Sequence, residues 1–151
     1  MNFVIRQARA SDAGEISALI TGWAHHYLDD PAPPEAAPFL ETLTPPATAD
    51  RIDSPNFRYY VAESPAGLCG VIALRDGSHL YHLFVREDAQ RQGVARALWE
   101  HAKSRSSSDR FIVNSALPAV SVYTRFGFVA SGVPQSKNGL TYVPMEYAPE
   151  G

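Results

Sequence analysis

Two different spacings of apolar residues meet in the middle of the chain, and they predict a strand followed by a helix. Along residues 79–85 the side chains alternate between two faces, with His79, Tyr81, Leu83 and Val85 on one and Leu80, His82 and Phe84 on the other. From residue 94 onward, apolar residues recur at the spacing of one helix face. A polar, basic turn separates the two patterns.

The same two spacings predict the remaining elements of a mixed α/β (α+β) fold. The predicted strands are Phe3–Arg9, Phe57–Glu63, Leu68–Arg75, Ser78–Val85, Arg110–Asn114, Phe128–Val133 and Thr141–Tyr147. The predicted helices are Asp12–Leu28, Glu35–Leu43, Val94–Ser104 and Pro118–Phe126. Residues 134–139 are expected to form a polar loop. Since no repeat or linker is visible, the chain is expected to fold as a single domain over residues 1–151.

Local signals add detail to this outline. Asp76-Gly77 is typical of a hairpin turn, which makes the second, third and fourth strands consecutive and antiparallel. The helix that follows requires the next strand to return parallel to the fourth. Asp12 and Glu15 have the spacing of a capping box. Pro144 has no N–H group, which indicates a sheet edge or a bulge.

The turn before the third helix has the properties of an anion site. A helix N-terminus exposes unpaired N–H groups and the positive end of the helix dipole. Gly93 lets a ligand approach this backbone closely, and Arg91 and Arg96 add positive charge. A pyrophosphate is the simplest ligand for such a turn. An ordinary turn with solvated arginines is the alternative, and the residues of the turn alone do not decide between the two.

Composition and charge limit the classes of function. The chain has 151 residues, of which 45% are hydrophobic, and a formal net charge of −3. This charge argues against general binding to nucleic acid or to anionic membranes. The single cysteine, Cys69, lies in an apolar run and is expected to be a buried, inert thiol. Without an apolar segment of membrane-spanning length or the pattern of a signal peptide, the simplest expectation is a cytoplasmic protein.

Three segments together resemble the GCN5-related N-acetyltransferase (GNAT) family. Residues 83–95 include Gln90-Arg91-Gln92-Gly93-Val94-Ala95, similar to the family's motif Arg/Gln-x-x-Gly-x-Gly/Ala, with Ala95 at a position where many members have glycine. Residues 114–128 are similar to its second motif, in which an asparagine is followed by alanine, tyrosine and Gly-Phe. Val143-Pro144-Met145-Glu146 resembles the closing strand.

The resemblance implies a fold and a cosubstrate. The fold is a central, mixed, mostly antiparallel sheet of about six to seven strands, flanked by about four helices and splayed at the acetyl-CoA site. The backbone N–H groups of Gln92 to Arg96 would hold the pyrophosphate of acetyl-CoA, beside Arg91. The backbone of Phe84 and Val85 would pair with the pantetheine arm, and Asn114 would contact it. No metal is implied. The implied cofactor-binding residues are Phe84, Val85, Arg91, Gln92, Gly93, Val94, Ala95, Arg96, Asn114 and Tyr123.

The resemblance also implies the reaction, in which an acetyl group moves from acetyl-CoA to a primary amine by direct attack. Tyr123 matches the tyrosine that often protonates the departing thiolate, although its place on an apolar helix face also suits a core residue. His79 is the better candidate for the general base, and a surface histidine beside the hairpin turn is the alternative. Glu63 or a water molecule could serve instead, and His82 is expected to be structural.

Other functions remain open at this stage. The chain could be a non-catalytic acyl-CoA-binding module, or a structural or interaction domain. The acceptor could be a small amine, an amino acid or a peptide, and a homodimer is possible. Trp23, Tyr27 and Tyr59 could line an apolar acceptor pocket or belong to the core. Asp29, Asp30, Glu35 and Glu41 could attract a cationic amine, but surface acids usually serve solvation alone.

Overall fold

The structure is a computed structural model that describes residues 2–23, 33–137 and 139–149. Its strands are β1 (Val4–Gln7), β2 (Phe57–Ser64), β3 (Gly67–Arg75), β4 (His79–Val85), β5 (Phe111–Ser115), β6 (Val129–Ala130), β7 (Gln135–Lys137) and β8 (Leu140–Tyr147). Its helices are α1 (Ala13–Gly22), α2 (Ala37–Glu41), α3 (Pro45–Asp53), α4 (Val94–Arg105) and α5 (Val120–Phe126). The mixed α/β class and the open, mostly antiparallel sheet are confirmed.

The sheet has the strand order β1-β2-β3-β4-β5-β8-β6, and β7 pairs with β8 beside that path. Strands β2, β3 and β4 are consecutive and antiparallel, as predicted. The Asp76-Gly77 turn between β3 and β4 has positive φ angles of 55° and 76°, which this kind of tight hairpin requires. Strand β5 returns parallel to β4 after α4.

Strands β4 and β5 are paired only at the start of β4. His79 lies opposite Ile112 and Leu80 opposite Val113, and no later pair joins the two strands. Beyond Leu80 the strands diverge and leave a gap in the middle of the sheet. The splay implied by the resemblance is therefore present.

A β-bulge interrupts the alternation of β4 at the same place. Ala73 of β3 pairs with His82 and Leu74 with Leu80, so Tyr81 is an extra residue without a partner in β3. The predicted grouping of Leu80 with His82 and Phe84 is wrong for this reason. Leu80 packs into the core on the side of α4, whereas Tyr81 and Phe84 pack on the opposite face of the sheet.

Two apolar clusters hold the sheet between its helices. The larger lies under α4 and α5 around Trp99, Phe111 and Phe128, and all three are almost completely buried. The smaller lies on the other face under α1 and α3, around Ile16, Ile20 and residues of β2 and β3. Each face of the sheet is therefore covered, which keeps the divergent strands β4 and β5 in place.

Several sequence predictions need correction in the first half of the chain. Helix α1 begins at Ala13, and the predicted extension to Leu28, with His25, His26 and Tyr27, lies outside the described residues, as do Asp29 and Asp30. The capping box does not form. Glu15 instead accepts a hydrogen bond from the Leu68 backbone N–H (3.2 Å), and Asp12 forms an ion pair with Arg6 (2.8 Å).

Further differences concern proline-containing segments. Helix α3 was not predicted; it begins at Pro45 and Pro46, residues that are common in loops but also fit a first helical turn. Strand β8 is not an edge. Pro144 lies between its pairings with β6 and β7, where the missing N–H group interrupts no ladder. The polar loop 134–139 contains the short strand β7, so eight strands are described where six to seven were expected.

Candidate functional site

A cleft of about 600 Å3 opens where β4 and β5 diverge. Its walls come from the end of β4, the start of α4 and the side of α5 that faces them. Ala119, Val122, Tyr123 and Phe126, which the sequence places on one face of a helix, all line it. The cleft thus joins both segments in which the family motifs were found.

The backbone of β4 turns peptide groups away from β3 and into this cleft. The Arg86 N–H donates to the Cys69 carbonyl (2.8 Å), which makes Gly70 and Val85 a non-hydrogen-bonded pair of the antiparallel ladder. The N–H and C=O of Val85 therefore point away from β3, into the gap. The same alternation turns the peptide groups of Leu83 into the gap and those of Phe84 toward β3. An extended ligand in the gap could pair with Leu83 and Val85.

Trp23 lies beside this strand edge. Its indole Nε1 donates to the Val85 carbonyl at 3.1 Å, and its ring lines the cleft. The sequence left Trp23 between pocket and core, and it proves to be a cleft residue. Tyr59, treated in the same way, is 2% exposed and belongs to the core under α3. The difference arises in the tertiary structure, where α1 packs against β4 and brings Trp23 to the cleft, whereas Tyr59 packs into the core.

The turn before α4 has a backbone conformation suited to anions. Arg91 and Gly93 both have positive φ angles, 63° and 81°, and Gly93 is the N-cap of the helix. Among the described residues no side chain caps this end, so the first N–H groups of α4 are open to a ligand. A Cβ on Gly93 would meet no atom within 4 Å, so the position is open on its outer side.

Positive charge surrounds this helix end. Arg91, Arg96 and Arg125 all line the cleft. Arg96 also connects its two walls: its guanidinium donates to the Arg125 carbonyl at 3.2 Å and lies 5.1 Å from the centre of the Phe126 ring. Val94 and Ala95 line the same end, whereas Gln92 is exposed and lies outside the cleft. Helix dipole and arginines together create a positive potential.

Tyr123 lies deep on the α5 side of the cleft. It is 3% exposed and packs edge-on against Phe126 and Phe128, with ring centres 6.2 and 5.5 Å apart. Its backbone carbonyl accepts from the Phe128 N–H, next to Gly127, which ends α5 with a positive φ of 103°. Tyr123 is thus both a core residue and a cleft residue, so the two interpretations of this tyrosine do not exclude each other.

His79 lies at the closed end of the gap, six residues before Val85, and does not line the cleft. Its Nδ1 atom lies 2.8 Å from Nη2 of Arg75. Because a guanidinium can only donate, Nδ1 accepts and the proton of a neutral ring is on Nε2. Burial, followed by the charge of Arg75, lowers the pKa of His79, which is therefore neutral at pH 7.

Asn114 and Glu63 also lie outside the cleft. Asn114 is exposed on β5, opposite Pro144 of β8. Glu63, near the end of β2, pairs with Arg6 at 3.3 Å. The structure thus gathers Tyr123, Phe84, Val85 and the start of α4 around one cleft, and it places His79, Asn114, Gln92 and Glu63 elsewhere.

Two buried groups, the Cys69 thiol and the His82 imidazole, stay uncharged at neutral pH. Burial raises the pKa of the Cys69 thiol, which is fully buried as predicted, so it stays protonated and a poor nucleophile. Burial, with the charges of Arg51 and His79, lowers the pKa of His82 to about 3. His82 is therefore neutral, and its Nε2 atom has no hydrogen-bond partner within the described part of the chain.

The described residues contain neither a candidate metal cluster nor a helix that could span a membrane. No group of three or more histidine, cysteine or acidic side chains there has the arrangement of a metal site. None of the helices described is both long and apolar enough to cross a bilayer.

Comparison with known proteins places these observations in a family. The family model described as the acetyltransferase (GNAT) domain matches residues 27–149. None of the curated proteins compared matches the chain.

Several solved structures have the same fold. One is the PaiA N-acetyltransferase from Thermoplasma acidophilum in complex with coenzyme A, with 14% identity, a TM-score of 0.77 and coverage of 99% of this chain and 100% of that one. A GCN5-related N-acetyltransferase from Rhodopseudomonas palustris has 18% identity, a TM-score of 0.75 and coverage of 99% and 97%. The apo form of YjaB from Escherichia coli has 25% identity, a TM-score of 0.69 and coverage of 97% and 98%.

Proposed function

Because this chain belongs to the GNAT acetyltransferase family, we propose that it transfers an acetyl group from acetyl-CoA to a primary amine within a ternary complex. One observation carries the proposal. The arginine-lined start of α4 and the edge of β4 that faces away from β3 open into the same cleft of about 600 Å3. An extended molecule with a pyrophosphate at one end and amide groups along its length fits both features.

The residues of the cleft fit acetyl-CoA in two places. The N–H groups at Gly93 to Arg96 would bind the pyrophosphate, with Arg91 and Arg96 supplying positive charge. The backbone of Leu83 and Val85 would pair with the pantetheine amides. When bound, acetyl-CoA supplies the activated thioester that an amine attacks. Asn114, predicted to contact the pantetheine arm, would have to reach it from the exposed face of β5, because the residue does not line the cleft.

Tyr123 would serve as the proton donor to the sulfur. A phenol is protonated at neutral pH and can donate a hydrogen bond to developing negative charge. Its position between Ala119 and Phe126 on the cleft wall keeps the ring in a dry, aromatic surrounding. Such surroundings strengthen the interaction of the hydroxyl with a nearby charge.

For the proton of the amine, His79 would act at Nδ1, since its Nε2 atom already carries hydrogen. This role requires Arg75 to release Nδ1 when the acceptor binds. A chain of water molecules could connect the amine to His79, because the histidine lies outside the cleft.

A calorimetric titration with acetyl-CoA tests the cosubstrate site. We expect one equivalent to bind to the wild-type protein and no measurable binding to Gly93→Glu, since the new carboxylate would block and repel the pyrophosphate. Gly14→Glu is the matched control, because Gly14 is exposed on α1 and a Cβ there meets nothing within 4 Å. Thermal unfolding of each variant verifies that it is folded.

The outcomes separate the possible functions. Binding to wild type and Gly14→Glu but not to Gly93→Glu supports the site. Release of CoA in the presence of amines then distinguishes an enzyme from a non-catalytic binding module. Absence of binding to the wild type overturns the proposal.

A further inference from the structure

Two arginines lie against one tyrosine on the face of the sheet opposite α4. The guanidinium carbon of Arg51, in the last turn of α3, is 5.4 Å from the centre of the Tyr81 ring. That of Arg75, at the end of β3, is 5.6 Å from the same centre. Both arginines and Tyr81 are half-buried. Two like charges are thus concentrated around a single aromatic ring.

Neither arginine has a carboxylate partner within the described residues. Arg51 donates through Nε to the Tyr59 hydroxyl at 2.8 Å and contacts Thr48 at 3.4 Å. Arg75 donates to His79. The ion pairs formed in the described part of the chain involve other basic side chains. Partly desolvated cations without counter-charge are costly, and a bound anion would offset this cost.

The groups around the two arginines are neutral. Burial raises the pKa of Tyr59, so its phenol stays protonated. His79 and His82 are neutral because burial and the nearby arginines disfavour their charged forms. Asp76, whose charge acts on His79, is exposed in the hairpin turn, and among the described residues neither arginine pairs with a carboxylate. The region therefore retains a net positive charge.

This region lies at the closed end of the gap between β4 and β5. Tyr81 is the first residue after the last paired position, Leu80. Phe84 packs on the same face as Tyr81 and also lines the cleft. A small molecule beside Tyr81 would thus lie next to the end of a ligand arm that enters the gap from the start of α4.

We propose that the acceptor is a small primary amine that carries an oxyanion, a carboxylate or a phosphonate, and that Arg51 and Arg75 bind this oxyanion beside Tyr81. The inference rests on the proposed function and adds the substrate class. The planar guanidinium groups match either oxyanion in two-point hydrogen bonds. The same contact would draw Arg75 away from Nδ1 of His79.

The test compares matched acceptor pairs in a CoA-release assay. The carboxylate arm of the experiment compares each of several α-amino acids with its amide. The phosphonate arm of the experiment compares 2-aminoethylphosphonate with ethanolamine. We expect the anionic member to have the higher kcat/KM in at least one arm, by about tenfold or more, as for other hydrogen bonds to charged groups. The arm that shows this preference identifies the oxyanion.

Substitutions then locate the preference. Arg51→Gln and Arg75→Gln should each raise KM for the anionic acceptor and reduce the preference within a pair. Their acetyl-CoA affinity should be unchanged, because neither arginine lines the cleft. Arg58→Gln is the matched control, since Arg58 is exposed and its neighbour in β2, Tyr59, faces the arginine cluster. It should leave the preference intact.

Three results would overturn the inference. One is equal or better turnover of the neutral members by the wild type, and another is a preference that survives both arginine substitutions. The third is a protein that binds acetyl-CoA but turns over no member of any pair. A wild type that fails to bind acetyl-CoA overturns the proposed function itself, and this outcome is distinguished by the calorimetric titration.

Discussion

Tyr123 combines a structural role with the proposed chemical one. The ring packs in the core, and only the hydroxyl would take part in the reaction. Its ring packs against Phe126 and Phe128, while its side chain reaches the cleft. Phenylalanine preserves this packing and removes only the hydroxyl. We expect Tyr123→Phe to lower kcat about 100-fold or more, as loss of a general acid does, and to leave acetyl-CoA affinity nearly unchanged.

Steady-state kinetics and calorimetry measure the two quantities separately. Ser121→Ala, at another cleft position of α5, is a suitable control for changes in the cleft wall. If Tyr123→Phe and wild type turn over equally fast, the tyrosine is not the acid.

His82 should make the stability of the protein depend on pH. Its pKa is about 3 in the fold, against about 6.5 in an unfolded chain. As pH falls below about 6.5, the unfolded state takes up a proton that the folded state does not, so stability decreases. At about pH 4.5 the loss is on the order of 2 kcal/mol.

Chemical denaturation at about pH 7 and about pH 4.5 measures this effect. His82→Phe should reduce the difference between the two, because phenylalanine suits a site surrounded by Tyr59, Tyr81 and Phe84. His79 and His101 have lowered pKa values and contribute with the same sign, so part of the difference should remain. Asp12, with a lowered pKa, contributes at lower pH. An unchanged difference in the variant would contradict the argument.

At the scale of elements, the position of α4 depends on Gly70. A Cβ on this residue would lie 2.9 Å from Val94 Cγ1 and 3.0 Å from Leu98 Cδ1, so the helix sits against bare backbone of β3. This contact fixes the height of the helix start above the cleft. We expect Gly70→Val to lower the free energy of unfolding by about 1–3 kcal/mol, as overpacking does, and to weaken acetyl-CoA binding.

Gly14→Ala provides the comparison for this effect. Gly14 lies in α1 with nothing near its missing Cβ, so alanine should stabilise the protein by up to about 1 kcal/mol. Denaturant melts of both variants give the two changes. A Gly70→Val protein as stable as the wild type would show that α4 is held from elsewhere.

The elements also show which predictions a sequence supports. Strands β2 to β5 and helix α4 were predicted because their periodicity is regular and their turns carry specific residues such as Asp76-Gly77. Helix α3 was missed, since Pro45 and Pro46 signal a loop as readily as a helix start. The start of α4 was predicted from the chemistry of its turn. The arginine cluster was not, because Arg51 and Arg75 are far apart in sequence and meet only through tertiary packing.

At the scale of the whole molecule, the two tryptophans report on two different regions. Trp99 is fully buried among aromatic rings under α4, whereas Trp23 lines the cleft and donates to Val85. Acetyl-CoA should therefore change the intrinsic fluorescence through Trp23 alone. We expect a saturable change in the wild type and none in Trp23→Phe, in a fluorescence titration with binding verified by calorimetry.

The two covered faces of the sheet differ in how far the family resemblance reaches. The segments that resemble the motifs form the turn before α4 and helix α5, where the proposed ligand contacts would be made largely by backbone. Arg51, Arg75 and Tyr81, on the opposite face, lie outside these segments. The backbone of a fold is shared across a family, but this set of side chains belongs to the individual chain.

The bulge in β4 inserts one extra residue, Tyr81, into an otherwise regular strand. If Tyr81 were removed, His79, Leu80, His82 and Leu83 would alternate regularly, and each would keep the face that it has now. The alternation of the other residues therefore does not depend on the additional residue, although its ring packs against Phe57. The additional residue places a ring at the point where the strand leaves β5, and a deletion of Tyr81 would show whether that ring serves the proposed binding of the acceptor or only the fold.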